Sequence, residues 1–154
     1  MFTNAYANAE RSNKSMCALL AGIPSFTDDA FANTAFAGNA VEGLGTRLKE
    51  LGYSTAFMHG GLNGEYKFDA FSAACGFDRY FGRDEFGDDR HFDGHWGVYD
   101  EEFLGYAADR IAELPQPFCA VEFTLSSHDP FLIPDRYKGK FPKGTQQIPE
   151  PLEY

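Results

Sequence analysis

The sequence predicts an α/β domain, and three observations carry that reading. Segments with apolar residues at helical spacing alternate with short, near-continuous apolar runs. Those runs, at 53–58 and from Phe118 onward, have the character of strands covered on both faces, as in a mostly parallel sheet. Glycine or proline closes nearly every segment.

The elements follow in order from the same signals. Residues 12–21, SNKSMCALLA, read as a helix, with Ser12 suited to cap its first turn and Gly22 to end it. Residues 28–38 are small and aromatic and read as loop. Between 41 and 51, Val41, Leu44, Leu48 and Leu51 recur at helical spacing until Gly52. The run YSTAFMHGG follows at once, a buried strand at 53–58 that ends in His59-Gly60-Gly61. A helix is expected over 67–75, before GFDRYFG, and the charged stretch 83–97 reads as loop. Residues 99–114 form the clearest helix. Asp100, Glu101 and Glu102 complement the dipole of its first turn, and Phe103, Tyr106, Ala107, Ile111 and Leu114 supply its inner face. Pro115 and Pro117 break it, and FCAVEFTLS then runs as a strand into Ser126-Ser127-His128. Residues 1–6 are expected as a third strand, and the Pro-, Gly- and Lys-rich chain after Phe131 as loop. Two or three strands are few for a doubly wound sheet, which predicts part of a larger fold.

Composition narrows the function. A length of 154 residues suits one domain. The formal net charge of −10 excludes a general nucleic-acid binder, which needs a basic footprint. It leaves room for an anionic small substrate, because local cations or a metal override the global field. Cys17, Cys75 and Cys119 are odd in number, far apart and outside any CxxC pair, so they read as packing residues. No apolar run approaches a membrane span and no signal peptide is visible, so the chain as written is expected to be soluble and without an address.

Four groups of residues carry candidate chemistry. Ser12 is either an N-cap or a nucleophile at the positive end of a helix, with Arg11 and Lys14 beside it. Cations at a helix N-terminus are unfavourable unless an anion arrives there. His59 and His128 each follow an apolar strand directly, where parallel sheets collect ligands. Solvent-facing loop histidines are the alternative. In RHFDGHW, His91, Asp93 and His95 fall within five positions, but in a Gly-containing loop without helical support for a zinc site. Trp96, the only tryptophan, is either a pocket wall or a packing residue.

These residues lie within a longer resemblance. FTNAYANAERSNKSMCALLAGIPS is similar to the nucleophile region of the lipoteichoic acid synthase and phosphoglycerol transferase branch of the sulfatase and alkaline-phosphatase superfamily. LGTRLKELGYSTAFMHGG, GFDRYFG, HWGVYDEEF and PQPFCAVEFTLSSHDPF follow in family order, so the resemblance spans residues 2–142. It implies part of an alkaline-phosphatase-like sandwich, a mostly parallel central sheet with flanking helices, over 1–142, with a Pro/Gly-rich tail at 143–154. It further implies that Ser12 is the nucleophile and one ligand of a divalent cation, Mn²⁺ or Mg²⁺. His128 takes the place of the histidine that binds the phosphoglycerol group, Trp96 that of a pocket tryptophan, and Arg11 and His59 accompany them as substrate-binding candidates.

Two departures qualify the resemblance. The Cys/Ser-x-Pro-x-Arg signature of true sulfatases is absent around Ser12, so a formylglycine nucleophile and sulfate esters are not implied. The family's other metal ligands, an upstream acid and a downstream Asp-His pair, are also missing, which predicts an incomplete and inactive piece. The expected partner is a phosphoglycerol-type small molecule or lipid head group, in a family usually anchored to the membrane with its catalytic domain outside the cytoplasm. The competing reading is a non-catalytic module that binds an anion or glycan, or associates with its own copies through exposed sheet edges.

Overall fold

In a computed structural model, residues 3–140 are described. Five helices and three strands run in the order α1 (Ser12–Ala21), α2 (Leu44–Glu50), β1 (Ser54–His59), α3 (Phe68–Ala74), β2 (Arg79–Phe81), α4 (Arg83–Phe86), α5 (Asp100–Ala112) and β3 (Phe118–Phe123), with short 3₁₀ turns between them. The strands form one all-parallel sheet in the order β2-β1-β3. Parallel neighbours require crossover connections, and α3 and α5 provide them. The α/β expectation holds.

The third strand is not where the sequence pattern put it. Residues 3–6 form no strand, and Met1 and Phe2 lie outside the described residues. Arg79–Phe81 takes that place, a strand too short to show a period. The stretch 83–97, expected as loop, holds α4 and a 3₁₀ turn at Asp89–His91. The tail 143–154 also lies outside the described residues.

Two compact units divide the described chain. Residues 3–57, 63–80 and 115–119 form the first. Its centre is Phe57, fully buried, stacked on Tyr80 at 5.9 Å and edge-on to Phe77 at 6.1 Å. Helix α2 packs on the 75–77 turn at backbone distance: a Cβ on Gly45 would lie 2.5 Å from the Gly76 carbonyl carbon. The helix starts at Leu44 rather than Val41: Gly43, its N-cap, has extended backbone and meets Cys75 just as closely. The start of β1 is fixed by Asp78, whose Oδ2 accepts from both the Thr55 N–H and hydroxyl at 3.0 Å. Lys49 pairs with the same carboxylate, and its hydrogen bond holds Asp78 below the usual range.

Residues 58–62, 81–114 and 120–140 form the second unit. Phe103 and Ala107 of α5 are buried, with Met58, Val98 and Leu125. Phe86 and Tyr106 pack edge to face at 5.5 Å, and the Tyr106 hydroxyl donates to the Glu85 carbonyl. The segment after Trp96 comes unusually close to the end of β1. Val98 N–H donates to the Gly60 carbonyl at 2.9 Å, and a Cβ on Gly97 would lie 2.3 Å from that same oxygen.

Candidate functional site

In the first unit, α1 has the expected boundaries, but Ser12 is not its cap. Arg11 holds the N-cap position and Ser12 is the first helical residue. The Ser12 side chain is exposed and makes no hydrogen bond among the described residues. A serine spent as a cap would accept from the backbone two or three residues on; the Ser12 hydroxyl makes no such bond among the described residues. The N–H groups of Ser12 and Asn13 likewise have no partner among the described residues, as the first turn of a helix requires. At the other end, Gly22 adopts φ 65° and closes the helix as expected.

The two cations flanking Ser12 have different fates. Arg11 is exposed, and its guanidinium makes no hydrogen bond among the described residues, although its carbonyl accepts from Lys14 and Ser15. Lys14 is 3% exposed, and its ammonium donates to Glu10 at 2.7 Å and to the Thr27 carbonyl at 2.9 Å. That hydrogen bond, with the lysine's charge, holds the Glu10 carboxyl below its ordinary range. Lys14 is therefore an internal brace for the 25–29 loop, whereas the Arg11 side chain stays exposed at the helix start.

The second unit carries the other candidates. Trp96 and His128 meet edge to face with ring centroids 4.6 Å apart. Trp96 Nε1 donates to the Asp129 carbonyl at 2.6 Å, and His128 Nδ1 lies 2.8 Å from the same oxygen. A carbonyl only accepts, so Nδ1 carries a proton and the other ring nitrogen, Nε2, is left without a partner among the described residues. His128 is exposed. Its imidazole is thus held at one nitrogen and presented at the other. His95 also meets Trp96 edge to face, at 4.9 Å.

His59 is placed differently from His128. It is 2% exposed, stacked on Phe123 at 5.0 Å, with Nδ1 donating to the Phe123 carbonyl at 2.9 Å. Burial pushes its pKa down, which keeps the ring neutral. Its visible work is to hold the end of β3. Asp93 is a turn-former: its Oδ1 accepts from the N–H groups of His95, Trp96 and Gly97 at 2.7, 2.8 and 3.1 Å. His91 lies 3.5 Å from Glu102 and 3.7 Å from Asp88. A polar cavity of about 340 Å³ opens beside Arg90, His91, Tyr99 and Arg136. Its cations already have acids: Arg90 pairs with Asp88, and Arg136 with Glu101 and Glu102.

A metal ion fits these residues poorly. Hard divalent cations take about six oxygen ligands, and zinc about four donors. Among the described residues no three His, Cys, Asp or Glu side chains converge to hold one. Ser12 offers one oxygen, and its neighbour Glu10 is taken by Lys14. The described residues alone do not make the cation site that the superfamily generally uses.

Sequence reasoning missed the residues that hold this arrangement in place. Asp100, read as a dipole partner, accepts the N–H groups of Leu125 and Ser126. Gly97 permits the backbone approach that brings in Trp96. The only signal for either was its place in HWGVYD, within four residues of the tryptophan.

The all-parallel sheet with flanking helices is an α/β architecture of the alkaline-phosphatase type. Two solved structures share that fold. A protein in the alkaline phosphatase superfamily from Vibrio parahaemolyticus matches with a TM-score of 0.78 and 26% identity, over 97% of this chain and 37% of its own. The lipoteichoic acid synthase LtaP from Listeria monocytogenes matches with a TM-score of 0.79 and 22% identity, over 96% and 38%. The chain belongs to the sulfatase family, whose Sulfatase model matches residues 1–153. Among curated relatives, phosphoglycerol transferase I of Escherichia coli (strain SMS-3-5 / SECEC) is 32% identical over 126 residues, 75% of this chain. The lipoteichoic acid synthase-like YvgJ of Bacillus subtilis (strain 168) is 34% identical over 89 residues, 58% of this chain. The chain spans 16% and 14% of the lengths of these two relatives. No described helix is long and apolar enough to cross a membrane.

Proposed function

We propose that this chain carries the nucleophile and the phosphoglycerol-binding histidine of a metal-dependent phosphoglycerol transferase or phosphodiesterase. The observation that supports it most is the uncapped, exposed Ser12 hydroxyl at the first position of α1, beside the free N–H groups of the first turn. Those groups and the helix dipole stabilise an anion. Ser12 Oγ attacks the phosphorus of a phosphodiester; the new O–P bond forms as the bond to the leaving alcohol breaks. The hydroxyl proton ends on that alcohol. An acceptor alcohol or water then takes the phosphoglycerol group and restores the serine. A hydroxyl is a weak nucleophile until it is activated. The proposed cofactor is Mn²⁺ or Mg²⁺, with Ser12 as one ligand and the others from outside the described residues.

His128 holds the phosphate or glycerol end through Nε2, Trp96 shapes the space beside it, and Arg11 draws in the anion. His59 is the remaining substrate-binding candidate, at the end of β1 beside the end of β3 that it holds. The substrate is a phosphoglycerol-type small molecule or lipid head group, handled by a membrane-anchored protein outside the cytoplasm. Copies would associate through β2 or β3, the outer strands among the described residues.

The test is turnover. The protein carrying this sequence, at its natural length and with Mn²⁺ supplied, should release glycerol phosphate from a phosphoglycerol donor, and Ser12→Ala should abolish it. Turnover retained in Ser12→Ala removes the serine from the reaction. Binding of glycerol phosphate without any turnover favours the non-catalytic module.

A further inference from the structure

A loop that leaves a strand must find partners for its backbone N–H groups. After β3, two of them go to a single side chain: Leu125 N–H to Asp100 Oδ1 at 2.7 Å and Ser126 N–H to Asp100 Oδ2 at 2.9 Å. The exchange is reciprocal, because Asp100 N–H donates to Ser126 Oγ at 2.9 Å. Ser126 thereby caps α5, whose own N-cap residue, Tyr99, offers no side-chain acceptor. Leu125 passes the register on, since its carbonyl accepts the His128 N–H at 2.9 Å. On the other side, Asp100 lies four residues after Trp96, in a segment tied to Gly60 through Val98. Both rings of the Trp96–His128 pair are therefore carried by backbone that meets at Asp100.

We propose that Asp100 is a positioning residue: its carboxylate fixes the loop that presents His128 beside Trp96. The proposal rests on the reading of His128 as the phosphoglycerol-binding group. A role limited to the helix dipole is the alternative, and Glu101 and Glu102 in the same turn would serve that equally well. Asparagine separates the two, because it can accept one of the N–H groups but sets its own NH₂ against the other.

Trp96 is the sole tryptophan, so its emission reports this site alone. An imidazole in ring contact alters indole emission, so at one fixed neutral pH His128→Gln should change the Trp96 emission of the 154-residue chain. Asp100→Ala should reproduce the His128→Gln emission and retain its helical circular dichroism. Asp100→Asn should show part of the change. Affinity for glycerol phosphate, read by calorimetry, should fall about tenfold or more in Asp100→Ala, the scale of lost hydrogen bonds to a charged group. A folded Asp100→Ala with wild-type emission overturns the proposal, as does wild-type emission in His128→Gln. If Asp100→Ala fails to fold, Ser126→Ala, which removes one bond of the three, decides in its place: emission moved toward that of His128→Gln supports the proposal and unchanged emission overturns it. Should the wild type bind no glycerol phosphate, the phosphoglycerol reading fails, while the emission experiment still decides what Asp100 does.

Discussion

Trp96 and His128 converge on one acceptor, the Asp129 carbonyl, at 2.6 and 2.8 Å, with their rings edge to face. The shared oxygen fixes the imidazole by one nitrogen and leaves the other presented. His128→Ala should therefore weaken glycerol phosphate binding by about tenfold or more, as loss of a hydrogen bond to a charged ligand does. Trp96→Phe keeps a ring but loses the N–H donor and should cost less. Calorimetric titration of both variants checks the order; equal affinity in His128→Ala and wild type would contradict it.

Gly97 should tolerate no side chain. A Cβ there would meet the Gly60 carbonyl oxygen at 2.3 Å and Leu125 Cδ1 at 2.7 Å, and the oxygen belongs to backbone that cannot rotate away. Gly97→Ala is expected to destabilise the fold by about 1–3 kcal/mol, the range of overpacking in a close-packed interior. It should also change the emission of the adjacent Trp96. Urea unfolding that leaves the midpoint and the emission unchanged would show that the approach is looser.

Stability should decline as the solution is acidified below about pH 6.5, the ordinary histidine value. Burial lowers the pKa of His59, so in this window the unfolded chain binds a proton that the folded chain does not. With more protons bound in the unfolded state, stability rises with pH, and the His59 contribution is complete above the unfolded value. It is lost as the pH falls from that value through the lowered one. Melting temperatures at pH 7.5 and 5.5 should differ less in His59→Gln than in wild type. An identical difference in the two proteins would exclude His59 as the source.

Much of this arrangement was legible because local signals and tertiary structure agree. Gly22 ended α1 where a left-handed residue was needed, and the apolar run around Phe57 located β1 within a residue of its true start. The errors share a cause. Arg79–Phe81 has no period to detect and becomes a strand only because β1 lies beside it. Helix α2 begins late, after an extended Gly43 that touches Cys75, a contact between positions some thirty residues apart. Ser12 looked like a cap because its residue type suits one; the backbone put Arg11 there instead. Of the candidate site, residue type and place singled out Trp96 and His128, and nothing in the sequence marked the Asp100 and Gly97 contacts beside them. Those depend on where the loop after β3 returns.

The most direct test of Ser12 as nucleophile is to trap the covalent intermediate. The protein at its natural length, with Mn²⁺ and a phosphoglycerol donor, would be quenched in acid, digested and examined by peptide mass spectrometry. The glycerophosphoryl group should be found on the peptide containing Ser12, and Ser12→Ala should yield none. A glycerophosphoryl group mapped to any other residue, or turnover persisting in Ser12→Ala, would contradict the assignment of the nucleophile.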